Sequence, residues 1–292
     1  MARRALAAAL FLFAAGAADG RPIRTNTPGT GVFIGSGLLL QVLCDQRSGG
    51  AAELSSCSLI TDFRYTPGTD WAFGVRIPLV LDRSLEVGGR ELSDSGLGDV
   101  EISGKWRFFR QVGPWFDRHA AVELGVELPT GDSDLPAEPD LALPLAHSST
   151  PGTGSTDLFV DLVYQQGQRR IVWGGDLLYH RNGSGEEGYR FGDVLRLNLD
   201  FEYILLPRVY TRPGKELFVL LEPSLIHRRD DEVAGRELPT GGIELLLAPG
   251  LQYIATEQML VSLSVQLPVW SDLRRDAFES DWNVLAEIRY AF

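Results

Sequence analysis

Apolar and polar residues alternate along most of this chain with a period of two. From 99 to 109, Val100, Ile102, Gly104, Trp106 and Phe108 share one parity, and Asp99, Glu101, Ser103, Lys105 and Arg107 share the other. From 193 to 204, Leu195, Leu197, Leu199, Phe201 and Tyr203 oppose Arg196, Asn198, Asp200 and Glu202. Ala120, Val122, Leu124, Val126 and Leu128 oppose His119, Glu123 and Glu127, and Leu158, Val160, Leu162 and Tyr164 oppose Asp157, Asp161 and Gln165. Successive strand residues point to opposite faces, so each segment predicts a strand with one apolar and one polar side; a helix would scatter the same residues around its circumference. Counting such segments gives about twelve strands. They are expected near 31–43, 57–66, 69–81, 98–109, 118–129, 155–166, 170–181, 193–205, 216–227, 241–254, 259–270 and 281–292.

The connections alternate in length. Long ones are expected at 44–56, 82–97, 130–154, 182–192, 228–240 and 271–280. Short ones fall at Pro67-Gly68, Gln111 to Asp117, Gly167 to Arg169 and Ala255 to Gln258, with Leu206 to Lys215 of intermediate length. A soluble sandwich has no reason to sort its loops this way, whereas an outer-membrane barrel has long loops outside and short turns in the periplasm. The predicted fold class is therefore all-β, a transmembrane antiparallel β-barrel of about 12 strands with periplasmic termini. Tyr65, Trp71, Phe108, Tyr164, Trp173, Tyr203, Tyr253, Tyr290 and Phe292 all fall near the short-turn end, as an interfacial aromatic girdle requires. The last strand alternates Trp282, Val284, Ala286, Ile288, Tyr290 and Phe292 with Asn283, Leu285, Glu287, Arg289 and Ala291. It resembles the closing strand of bacterial outer-membrane barrels, and that resemblance makes Tyr290 and Phe292 an assembly signal read by the barrel-assembly machinery.

Composition agrees with this picture without proving it. Hydrophobic residues make up 44% and charged residues 23% of the chain, and no run approaches the roughly 18 apolar residues of a membrane helix. The first residues fix the route of export. Arg3 and Arg4, the apolar stretch Ala5 to Ala15 and the small residues Ala15-Gly16-Ala17 form a signal peptide over 1–17. Residues 18–30 are expected as a short periplasmic segment and 31–292 as the barrel. A net charge of −12 argues against nucleic acid. Cys44 and Cys57, close in sequence and outside the cytoplasm, are expected to form a disulfide flanking a loop, a closure that contributes about 3 kcal/mol in the chain-entropy model. Neither a cofactor nor a metal is expected.

The polar parity supplies the candidate chemistry. Pore-lining candidates are Asp99, Glu101, Lys105, Arg107, Glu123, Glu127, Asp157, Asp161, Asp176, Arg196, Asp200, Glu202, Glu222, Glu244, Glu287 and Arg289. A charge at the bilayer midplane costs about 2–4 kcal/mol, so these residues must face a wet lumen. Acids exceed bases, which predicts a negative lumen unless neighbouring strands neutralise one another. A catalytic reading is weak: His227 lies near Asp230 and Asp231, but no serine sits at same-face spacing from it. Glu127-Leu128-Pro129-Thr130-Gly131 recurs as Glu237-Leu238-Pro239-Thr240-Gly241, and Gly98-Asp99-Val100 as Gly192-Asp193-Val194; both read as rim punctuation.

The motifs Gly96-Leu97-Gly98-Asp99-Val100, Leu128-Pro129-Thr130-Gly131, Gly152-Thr153-Gly154-Ser155 with Asp157, and Tyr290-Ala291-Phe292 are similar to those of a family of bacterial outer-membrane proteins assigned to transport in phenol-degradation pathways. That resemblance implies a monomeric type of barrel and uptake of small, often aromatic or hydrophobic compounds. Expected partners are outer-membrane lipid, the assembly machinery and a small molecule of unknown identity. The alternatives are a structural, adhesive or receptor barrel acting through its extracellular loops and, further off, a barrel-embedded hydrolase.

Overall fold

The structure is a computed structural model that describes residues 36–136, 138, 141–209 and 215–292. The expected signal peptide and the 18–30 segment lie outside these residues. Twelve strands run antiparallel around a closed ring: β1 (Gly37–Gly49), β2 (Ala52–Tyr65), β3 (Trp71–Val87), β5 (Val100–Val112), β6 (Phe116–Leu128), β7 (Asp157–Gln168), β8 (Ile171–Arg181), β10 (Val194–Leu206), β11 (Glu216–Arg228), β14 (Gly242–Ile254), β15 (Met259–Leu273) and β16 (Glu279–Ala291). Closure is made by β1 against β16, in register from Gly37↔Ala291 to Ser48↔Glu279. Every barrel strand therefore has two partners, which a membrane demands of any sheet that meets lipid.

The parity read from the sequence decides the two faces. Leu195, Leu197, Leu199, Phe201 and Tyr203 are exposed on the outer surface, while Asn198, Asp200 and Glu202 are buried inside. The aromatic residues of the short-turn end form the expected girdle: Trp71 stacks on Trp106 at 5.9 Å and Phe63 on Phe292 at 6.1 Å. The Phe292 amide donates to the Ser36 carbonyl at 3.0 Å, so the described ends of the barrel meet at that rim.

Two of the expected long loops are strands instead. Residues 44–56 continue β1 and β2 to a turn at 50–51, and residues 82–97 are a hairpin of β3 with β4 (Arg90–Leu97), turned at Gly88-Gly89. Both glycines have positive φ, 60° and 75°, the backbone that a two-residue hairpin turn needs. β4 and β5 together follow β3, interrupted only at Gly98-Asp99. Cys44 and Cys57 do form the disulfide, but as directly opposed residues of a continuous ladder and not as the flanks of a loop.

The remaining outer loops carry short elements. Between β6 and β7 lies α1 (Leu143–Ser149). Tyr189–Arg190 (β9), Asp231–Val233 (β12) and Arg236–Leu238 (β13) form a small second sheet at the outer rim. Among the described residues no helix is long and apolar enough to cross a membrane.

Candidate functional site

The loop after β6 folds over the outer mouth. Leu141 and Leu145 pack on Ala52, Leu54 and Leu85, inward-facing residues of the extended β1–β3 wall. Ala146, His147 and Ser149 of α1 are buried, and the His147 ring stacks on Tyr189 at 4.1 Å. The Tyr189 hydroxyl donates to Asp231; burial, with that carboxylate beside it, holds the phenol well above its ordinary pKa and so keeps the donor protonated. A partly open cavity of about 290 Å³ lies beneath the loop and is lined from many sides of the barrel, by Asp45, Arg83, Glu127, His180, Arg228 and Phe278 among others.

Three of the motifs singled out in the sequence meet at the point where this loop is anchored. Asp99 Oδ1 accepts the Gly131 amide at 2.8 Å, and its Oδ2 accepts the Thr153 amide and hydroxyl at 2.6 and 2.7 Å. Gly131 lies so close to Gly98 and Gly152 that a Cβ there would sit 2.7 and 2.8 Å from their backbones. Only glycine permits that approach. These segments do more than end strands: they clamp both ends of the inward loop to the break between β4 and β5. The second copy of the motif works alike. Thr240 Oγ1 accepts the Asp231 amide at 2.9 Å, as Thr130 Oγ1 accepts that of Val100, also at 2.9 Å.

The candidate pore-lining residues sit on the inward face. Asp99 is the exception in kind: it precedes β5 and its carboxylate is taken up by the clamp. Lys105, Arg107, Glu123, Asp157, Asp161, Asp176, Asp200, Glu202, Glu222, Glu244, Glu287 and Arg289 are buried, and Glu101, Glu127 and Arg196 half-buried. They are more enclosed than an open water-filled pore would leave them, because long side chains meet across and along the wall. Glu123 receives Lys105 Nζ at 2.6 Å, Arg64 Nη1 at 3.3 Å and the Ser103 hydroxyl at 2.7 Å. Arg107 reaches Asp70 and the Thr69 carbonyl in the inner turn. Arg76 donates to Gln41 at 3.1 Å. At the inner end one wall is apolar: Ile204, Phe218, Leu220, Ile254 and Leu260 form a buried cluster on β10, β11, β14 and β15.

One grouping escaped the sequence reading. Glu127, Asp157 and His180 come from β6, β7 and β8, and each offers a ligand atom within 4.8 Å of the others. Glu127 and Asp157 stand among the lumen candidates, whereas nothing in the sequence pattern singles out His180 from the chain's four histidines. Counting strand register from the two rim motifs, Leu128-Pro129-Thr130-Gly131 and Gly152-Thr153-Gly154-Ser155, would have put the two acids side by side. His227 instead lines a rim pocket of about 540 Å³ with Arg228, Arg229, Asp230 and Arg274.

Residues 24–274 match the family described as "Putative MetA-pathway of phenol degradation". The chain belongs to this family. Among solved structures it resembles an outer membrane channel from Pseudomonas putida F1, with TM-score 0.66 and 11% identity over 91% of this chain and 99% of that one. It also resembles the β domain of the Bordetella autotransporter BrkA, with TM-score 0.54 and 12% identity over 88% of this chain and 100% of that one. At these identities the likeness establishes the fold alone; a closed barrel with exposed apolar residues around its outside is a protein of the bacterial outer membrane. No curated protein matches the sequence.

Proposed function

We propose that this family member is an outer-membrane channel for small molecules, constricted at its outer mouth by the loop that carries α1. The observation that carries the reading is a charged, polar inward face beneath a clamped loop, inside a wall whose outer face is largely apolar. A purely adhesive or structural barrel has no use for a loop folded onto its own lumen. The pore-lining candidates are assigned the wall of the path, with Asp99 assigned the loop anchor. The apolar inner cluster around Phe218 suits cargo with an aromatic or hydrophobic body, which agrees with the phenol-degradation theme of the family. Tyr290 and Phe292 are assigned to recognition by the assembly machinery, and no catalytic role is assigned. Single-channel recording in planar bilayers tests the reading. Replacing residues 138–150 by a short Gly-Ser bridge is expected to raise conductance several-fold. Absence of conductance from both the native and the shortened protein would sink it.

A further inference from the structure

The row of inward residues nearest the outer mouth is unusual in its charge. Arg76 pairs in register with Glu101, Glu101 with Glu127, and Glu127 with Asp157. Like charges directly opposite one another across strands repel. Arg76 answers the Glu101 end of the row. The other end, Glu127 with Asp157, has His180 of the next strand beside it.

The protonation of His180 follows from its neighbours. Asn182 Nδ2 donates to the Gly192 carbonyl at 2.7 Å, which turns Asn182 Oδ1 toward the ring, 2.9 Å from His180 Nδ1. An amide oxygen only accepts, so Nδ1 carries a proton, and the lone pair of the ring in its neutral form is at Nε2. That Nε2 lies 3.6 Å from Glu127 Oε2. This is the arrangement seen around metal-bound histidines, whose other ring nitrogen donates to an oxygen that fixes the tautomer. Asp157 adds the third group. It is 1% exposed; Oδ1 accepts the Ser155 hydroxyl at 2.6 Å and the Gly183 amide at 2.7 Å, while its buried Oδ2 has no hydrogen-bond partner. A buried carboxylate oxygen left without a donor is costly.

We propose that Glu127, Asp157 and His180 form a binding site for a divalent transition-metal ion, zinc first. The 3.6 Å between His180 Nε2 and Glu127 Oε2 is close to the ligand separation of about 3.4 Å that a tetrahedral ion with bonds of about 2.1 Å produces. One imidazole with two carboxylates suits zinc better than calcium or magnesium, which take oxygen ligands only. The 290 Å³ cavity is lined by all three residues and by Thr153 of the clamped loop, so a fourth position is open to water or an incoming anionic group. The ion would tie β6, β7 and β8 together under the constriction. The site does not depend on the channel reading.

The test uses the full mature barrel, tag-free, refolded in detergent and stripped of metal, with folding verified by heat-modifiable migration. Zinc is titrated against a chromophoric chelator. One zinc per barrel is expected, with affinity at least tenfold lower in His180→Ala and in Asp157→Asn and unchanged in His227→Gln. Calcium, as a second probe, is expected to bind at least tenfold more weakly. A variant-free readout runs beside it: acylation of histidines by diethyl pyrocarbonate, mapped by mass spectrometry. Zinc is expected to protect His180 and not His227. Failure of the native barrel to hold zinc, unchanged affinity in folded His180→Ala, equal binding of calcium, or no protection of His180 would each overturn the proposal.

Discussion

Two cross-strand rows on the same three strands treat buried charge in opposite ways. The inner row, Lys105–Glu123–Asp161, places a base directly opposite the central acid, and Arg64 and Ser103 add to it. The outer row, Glu101–Glu127–Asp157, sets acid against acid twice, with Arg76 at one end and a histidine at the other. An enclosed carboxylate must meet positive charge or donors. The inner row carries its counter-charge in the chain. The outer row, lying against a cavity, has room to take one from solution. The lesson is that an identical strand geometry yields either a permanent cross-brace or a ligand site, according to one residue per row.

The largest effect is expected where that built-in charge is removed. Lys105 is 2% exposed and Glu123 4% at their side chains, so Lys105→Met leaves an acid enclosed with Arg64 and the Ser103 hydroxyl. Breaking a buried pair from one side costs about 3–5 kcal/mol, and the surviving Arg64 contact brings the expectation to about 2–3 kcal/mol. Guanidinium unfolding of the refolded barrel in micelles measures it. A loss below about 0.5 kcal/mol would mean that the inner row is not a brace and that the contrast is false.

The next effect lies on conduction. Asp161, Asp176, Asp200, Glu202 and Glu222 stand on β7 to β11, while Arg64, Arg76, Lys105 and Arg107 stand on β2 to β5. On β7 to β11 these acids outnumber the one inward base of the candidate set, Arg196, and that excess of negative charge sets the sign of the field along the path. The native channel is expected to prefer cations, and Asp200→Asn with Glu222→Gln is expected roughly to halve the cation-to-anion permeability ratio. Reversal potentials under a salt gradient supply the readout. Anion preference in the native protein would refute the acidic wall.

Much of this was legible in the sequence, and the limits have physical causes. Within the bilayer, lipid on one side and polar groups on the other impose strict alternation, so the parity of β5, β6, β7, β10 and β16 could be read residue by residue. Beyond the bilayer both faces of a strand meet water or loop. Gln46, Arg47 and Ser48, or Asp82, Arg83 and Ser84, no longer alternate, yet their backbone ladder continues. That is why 44–56 and 82–97 were expected as loops. The clamp was half legible: its glycines and Asp99 marked the rim, but the contact of Gly98, Gly131 and Gly152 is a matter of space and not of pattern. The Glu127–Asp157–His180 group needed the register of three strands at once, which one-dimensional periodicity does not contain.

The smallest effect is the sharpest, because its sign depends on conditions. Glu127→Gln keeps shape and removes the central one of three opposed acids. In chelator, relief of a like-charge contact is worth about 0.2–1 kcal/mol, and the 23% exposure of the Glu127 side chain favours the lower half of that range. The variant should therefore be slightly more stable than the native barrel when no metal is present. In zinc the order should invert. A ligand that binds only the folded state adds about 2.7 kcal/mol at a hundred times its Kd, and the variant, binding more weakly, gains less. Glu123→Gln, the matching change in the inner row, should lose stability with or without zinc, since it removes the carboxylate that faces Lys105 at 2.6 Å in an enclosed site. Denaturation midpoints of the three proteins in chelator and in zinc measure all of this at once. If Glu127→Gln were about 1 kcal/mol or more less stable than native in chelator, Glu127 would already have its counter-charge within the chain, and the two rows would differ in composition but not in kind.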